Sequence, residues 1–374
     1  MSEWMFFAQV GLVGLVLLWF NRDNQVLQFQ TLGWITITIW IVVSVGVWEQ
    51  RNFYSNDQRL HAEVVDRYLA GTLNLDLDWW LGLSRAPYTV PAACLAAIGL
   101  DPLLALKTIS LLSLLATSSM VSRYLKSMTN SAVAVSTYLT ATGLIGVFFA
   151  ALALRETMMM YLVLWFFSSK SSAVKVFSLL LLGLLRPHLA AAVLLGSLVG
   201  LALHKLRRDT GASPLRNFSY LAAAPIVGYY VYSFGLGFQS GVSGVFGHTW
   251  GISPVLRIAS NFVGLQFLTV RDSTVEFSIT SLLLLRLLLS ETIIIPLLFT
   301  VAVLVTRRHS LLMQSVMWSF GIYVGIVTNT DFNSFRQNIP FMPVMGLVVL
   351  LAWKEHREAG SEVQTPPLTV RRET

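Results

Sequence analysis

Asp57 and His61 stand four residues apart inside residues 48–71, WEQRNFYSNDQRLHAEVVDRYLAG. That spacing sets two side chains on one face of a helix. A carboxylate beside an imidazole can take a proton from a hydroxyl. Glu63 and Asp66 lie in the same stretch, and Arg155-Glu156, Arg186-Pro187-His188 and Arg336 follow at wide intervals. Arginine can hold a phosphate through two parallel N–H donors. Arg186 and His188 interrupt an apolar run, where charge is costly unless it meets water, a partner or a ligand. Plainer uses compete with each reading. Asp57 can simply sit in a first helical turn, where negative charge is favoured. Arg59, Glu63 and Arg67 form an i,i+4 ladder typical of a solvated face. Arg155-Glu156 can be a local ion pair, Arg336 a helix-end anchor, and Arg286 and Glu291 a pair of their own.

The elements that carry these residues are helical and mostly apolar. Ser55 followed by Gln58 has the form of a capping box, so a helix is expected to start near Asn56. Leu60, Val64, Val65, Tyr68 and Leu69 then recur at helical spacing, leaving one apolar and one charged face. Such a helix is expected to lie on a membrane surface. Residues 73–100 carry Trp79, Trp80, Tyr88, Pro87 and Pro91 and read as a second interfacial segment, aromatics at headgroup depth. Elsewhere, apolar runs of spanning length recur at 4–20, 32–48, 103–121, 132–152, 157–167, 176–185, 189–203, 218–234, 282–306, 311–328 and 339–353. The two runs at 176–203 read either as short spans or as one helix interrupted at Arg186-Pro187-His188.

The expected fold is therefore all-α, a polytopic transmembrane bundle of about 11 spans, with interfacial helices in the first extracytoplasmic loop. One domain covers 1–353, with external loops at 49–88 and 235–276, and 354–374 is expected to be a disordered cytoplasmic tail. The bulk composition agrees: of 374 residues 55% are hydrophobic and 12% charged, and mean hydropathy is +0.66. Soluble domains carry about 25% charged residues. The net charge of +7 falls in short loops and the tail, which fits membrane topology and anionic lipid and not nucleic acid. With Arg123/Lys126, Lys170/Lys175, the 204–216 segment and Arg307/Arg308 assigned to the cytoplasm, the candidate residues collect on the opposite side. One cysteine, Cys94, excludes an intramolecular disulfide and is expected to be inert. No phosphate-binding loop, dinucleotide fingerprint or HExxH metal motif occurs; no cofactor is expected, and a divalent metal stays open as an alternative that no motif indicates.

The order of features resembles the GT-C superfamily of integral-membrane glycosyltransferases. Tyr54-Ser55-Asn56-Asp57, then His61 and Tyr68-Leu69-Ala70-Gly71, resembles the family's first external loop. Tyr88-Thr89-Val90-Pro91 through Gly99-Leu100-Asp101-Pro102, running on to Ser122-Arg123-Tyr124-Leu125, is similar to its next segment. Arg155-Glu156, Leu184-Leu185-Arg186-Pro187-His188 and Phe335-Arg336-Gln337-Asn338-Ile339-Pro340 resemble three later elements. The likeness covers roughly 49–353. It departs at Gln58, where many relatives carry a second acidic residue, and in the extra span at 4–20.

The resemblance implies an inverting sugar transfer from a polyprenyl-phosphate donor to a hydroxyl on a glycan or glycolipid acceptor, outside the plasma membrane of a bacterial cell. Asp57 would be the base, with Asp66 in reserve. Arg336, Arg186 and His188 would bind the donor phosphate, with His61, Arg155 and Glu156 supporting. Two other readings stay open. An O-antigen-type polysaccharide polymerase or ligase would use His248, Arg257 and Arg271 in the 235–276 loop. A lipid-linked glycan transporter would need broken helices, mid-membrane charge and repeats, of which only Arg286/Glu291 is present.

Overall fold

The computed structural model describes residues 56–72, 82–126, 146, 149–150, 153–206, 214–232, 258, 293–306, 310–329 and 338–362. Among these the regular structure is helical, as the apolar periodicity predicts. The helices are α1 (Asn56–Leu69), α2 (Ala86–Ala97), α3 (Pro102–Lys126), α4 (Glu156–Ser168), α5 (Ser172–Leu185), α6 (Pro187–Leu206), α7 (Pro214–Val231), α8 (Ile293–Val305), α9 (Leu311–Asn329) and α10 (Met342–Glu362). A 3-10 turn at Ile339–Phe341 leads into α10.

Helix ends follow local chemistry. Within the described residues α1 runs from Asn56 and closes at Gly71, whose φ of +63° suits a residue without a Cβ. The N–H of Thr72 reaches back to the Arg67 carbonyl, completing the cap. Gly99, at φ +105°, closes the α2 end in the same way. Asp101 then caps α3 by accepting from the N–H groups of Leu103 and Leu104 at 3.0 and 3.3 Å. The Gly99-Leu100-Asp101-Pro102 string therefore works as a helix stop followed by a helix start. α2 keeps Pro91 inside its 12 residues. At that length it covers about 18 Å, well short of a bilayer.

Two packing groups meet near the middle of the chain. In one, α9 lies between α6 and α7, and α8 joins through Phe299 on Phe320 and through Asn217 bonding the Val303 carbonyl at 3.1 Å. In the other, α4 packs against α3, α5 and the 339–341 turn, while α1 and α2 cover α3. The break between α5 and α6 falls at Arg186, which is extended at φ −159° and ψ 91°. A residue before proline is pushed out of the helical region, so Arg186-Pro187 divides the apolar run into two helices instead of leaving it continuous.

The closest approach in the bundle is a seam of small residues. A Cβ added at Gly196 would lie 2.2 Å from the Ser319 backbone nitrogen, and one at Gly200 would lie 2.7 Å from Ser315. The paired positions run 196 with 319 and 200 with 315, so α6 and α9 are antiparallel. Ser319 also donates to the Val193 carbonyl at 3.2 Å. On the other flank of α9, a Cβ at Gly325 would stand 2.0 Å from the Pro225 carbonyl oxygen, and one at Gly321 would stand 2.5 Å from Ala224. Gly196-x-x-x-Gly200 and Gly321-x-x-x-Gly325 are the small-residue motifs that let helix backbones meet without a hydrophobic driving force between them. They were visible in the sequence and are absent from the expectations above.

The outward faces are apolar. Leu194, Leu198 and Leu201 on α6, Val176, Phe177 and Leu180 on α5, and Ile294, Leu297, Leu298, Val301 and Val305 on α8 are all exposed. Their spacing makes continuous stripes, larger than a water-facing surface carries. Among the described residues, two helices, Pro187–Leu206 and Leu311–Thr328, are long and apolar enough to cross a membrane. α9 is almost wholly buried, whereas α6 shows its outer face.

Several expectations change. The apolar face of α1 does not lie open: Ala62, Val64 and Val65 are buried, and the helix packs on α2 and α3. Tyr88 is fully buried in the bundle, where its hydroxyl bonds the Leu106 carbonyl at 3.2 Å and Ser110 at 2.7 Å. α10 continues through Lys354 to Glu362, past the start of the expected tail; KEHREA is rich in helix formers with opposite charges four apart. Cys94 is free and exposed. The expected spans at 4–20 and 32–48, the loop at 235–276 apart from Ile258, and Arg286 with Glu291 lie outside the described residues.

Candidate functional site

Four of the expected site residues come together where the two packing groups meet. Arg155 precedes α4, and its Nη1 donates to the Leu185 carbonyl at the end of α5 at 2.7 Å. Glu156 opens α4 and is buried. Its Oε1 lies 3.6 Å from Arg186 Nη2 at the α5–α6 break. Arg186 Nη1 donates to the Tyr323 hydroxyl of α9 at 3.0 Å. The His188 ring stacks on Tyr323 with centroids 5.9 Å apart and planes 10° from parallel. Tyr323 in turn contacts Phe341 at 5.4 Å.

Local backbone sets this geometry. Ala153 adopts φ +52°, a conformation glycine normally takes. Its N–H bonds the Ala150 carbonyl, and the Leu154 N–H bonds the Phe149 carbonyl. That double bond closes the preceding helical turn and redirects the chain so that Arg155 and Glu156 enter the cluster. The start of α4 has no side-chain cap, and its positive dipole end lies at Arg155 and Glu156. α6 starts one residue after Arg186 and presents a second positive helix end. Thr157, fully buried beside Glu156, has a hydroxyl without a hydrogen-bond partner among the described residues.

A second chain of contacts reaches the cluster from α1. His61 is buried and meets the Tyr88 ring edge-on at 5.3 Å. Tyr88 bonds Ser110, and Ser110 donates to the Leu154 carbonyl at 3.1 Å, next to Arg155. The supporting residues His61, Arg155 and Glu156 thus belong to one connected body. Ser110 and Tyr323 were not expected, and Tyr88 was expected only as an interfacial aromatic; Tyr323 carried one sequence signal, its position midway between two glycines four apart.

Asp57 is in the first turn of α1, and its side chain lies outside the described residues; Arg336 lies outside them altogether. The segment that follows Arg336 is described. Asn338 is buried, and the 339–341 turn packs on α4. Arg59 and Glu63 form the expected exposed pair at 3.0 Å, the kind worth little to stability.

The reserve base, Asp66, is on the exposed side of α1, nine positions from Asp57 and about 180° around the helix axis. Partial burial, then Asp101 and Glu63, raise the pKa of Asp66 above the usual carboxylate value of 3.8. The ionised form is thus disfavoured in the fold, and Asp66 weakens the protein increasingly as pH rises through the interval above 3.8. Asp66→Asn is expected to unfold at a higher temperature than the wild type at pH 7 and at the same temperature at pH 3. Equal midpoints at both values would remove the electrostatic account.

Among the described residues, no group of three or more His, Cys, Asp or Glu side chains is placed to hold a metal ion. Comparison with family models, with curated proteins and with solved structures finds no match, so the reading of this site rests on its own geometry.

Proposed function

We propose that this protein is a multi-pass membrane glycosyltransferase that moves a sugar from a polyprenyl-phosphate donor to a hydroxyl acceptor on the extracytoplasmic side. One observation carries the reading. Arg155 and Arg186, remote in sequence, converge with the neutral imidazole of His188 at the starts of two helices beside the segment that follows Arg336. Cations and helix N-termini together favour a phosphate. The apolar stripes on α5, α6 and α8 support a bilayer around the bundle and grooves for a polyprenyl tail.

In this reading Asp57 accepts the proton of the acceptor hydroxyl as its oxygen attacks the anomeric carbon. The bond from that carbon to the phosphate oxygen breaks, and the configuration inverts. The lipid phosphate leaves, its charge held by Arg186 and Arg336, with the neutral His188 imidazole as a hydrogen-bond donor. Glu156 offsets part of the cationic field and orients Arg186.

The test is transfer by purified protein in nanodiscs from a panel of polyprenyl-phosphate sugars. Transfer is expected from at least one donor, and Asp57→Asn is expected to lower it by about 100-fold or more. The same loss in Asp66→Asn with an active Asp57→Asn would move the base to Asp66. No transfer from any donor, with retained binding of lipid-pyrophosphate glycans, would replace this proposal with the polymerase reading.

A further inference from the structure

Tyr323 is the residue through which the cationic cluster is tied to the most tightly packed part of the bundle. Ser315, Ser319 and Tyr323 recur every four positions on α9 and share one face. The first two meet Gly200 and Gly196 of α6 at backbone distance. Followed one turn further, the same seam brings Tyr323 to the start of α6, where its ring stacks on His188. Gly321 and Gly325 are two positions away on either side, so about 200° around the helix, and press against α7. α9 is thereby held on both flanks, and Tyr323 has little freedom to shift along or around its axis.

From this we infer that Tyr323 is a positioning residue for the anion site. Its hydroxyl fixes Nη1 of Arg186 while Glu156 holds Nη2, and its ring sets the plane of the His188 imidazole. An arginine whose guanidinium plane is fixed at two nitrogens loses less side-chain freedom when an anion arrives. The inference rests on the reading that Arg186 and His188 face a lipid phosphate.

Farnesyl phosphate serves as the probe, with binding measured for the wild type, Tyr323→Phe, Arg186→Lys and the double variant in detergent. Tyr323→Phe keeps the ring and removes only the hydroxyl. It is expected to weaken binding about tenfold, as loss of a hydrogen bond to a charged group does. The double variant is expected to bind within about twofold of Arg186→Lys alone, because the two substitutions disable one device. A residue that merely fills the core would give losses that multiply, and that result overturns the inference.

Thermal unfolding of the same four proteins provides a second arm that needs no ligand. Shifts that fail to add are expected for a Tyr323 that grips Arg186, and additive shifts overturn the inference. If the wild type binds no farnesyl phosphate while the unfolding shifts remain coupled, the lipid-phosphate reading fails and the positioning of Arg186 by Tyr323 stands.

Discussion

Arg186→Met is expected to destabilise the protein by about 3–5 kcal/mol, the usual cost of leaving the partner of a buried ion pair uncompensated. Glu156 is 2% exposed and Arg186 6%, so the remaining carboxylate gains little from water. Methionine fills much of the vacated volume, which keeps a cavity from dominating the result. Adding Glu156→Met in the same chain removes the stranded charge and is expected to restore much of the loss. Double-mutant stability above that of Arg186→Met alone is the distinguishing outcome. Arg59 provides the contrast, because its pair with Glu63 is exposed at 69% and 44%. Arg59→Met is expected to change little, since exposed pairs contribute about 0–1 kcal/mol. Urea or thermal unfolding in detergent reads all four proteins. Arg186→Met and Arg59→Met with equal effects would show that the buried pair does not form.

Gly196→Ala is expected to destabilise by at least about 1–3 kcal/mol, as overpacking does, and Gly325→Ala similarly. The added carbon would meet backbone atoms at 2.2 Å and 2.0 Å, and backbone cannot rotate away as a side-chain tip can. The helices must separate, which draws Tyr323 away from His188 and Arg186. Binding at the cluster is therefore expected to fall together with stability. Gly183→Ala is the control. Its new carbon meets only the Ala190 Cβ at 3.9 Å, ordinary contact, and alanine is the better helix former by about 1 kcal/mol. It is expected to leave the protein as stable or more so. Unfolding midpoints for the three variants that move in the same direction by the same amount would refute the close α6–α9–α7 seam.

Both predictions depend on features that the chain shows unequally. Its helices, α1 among them, follow from periodicity and capping residues, which act over a few positions. The break at Arg186-Pro187 is equally local, because the proline ring alone restricts the residue before it. The rigid end of α2 and the start of α3 at Gly99 and Asp101 are of the same kind. Composition alone also makes the outward stripes apolar, and these need no knowledge of what packs where.

Other features exist only once the chain is packed. Arg155-Glu156 reads from sequence as a local pair, and the bundle also brings Glu156 to Arg186 and Arg155 to the Leu185 carbonyl. Tyr88 reads as an interfacial aromatic, but its hydroxyl finds Ser110 and the Leu106 carbonyl, and burial follows. Tyr323 joins the cluster from 137 positions beyond Arg186, a pairing that no local rule encodes. Short-range backbone preferences write the helices into the chain, whereas long-range contacts depend on how closely those helices approach. Here that approach is controlled by glycines that touch no charged group themselves.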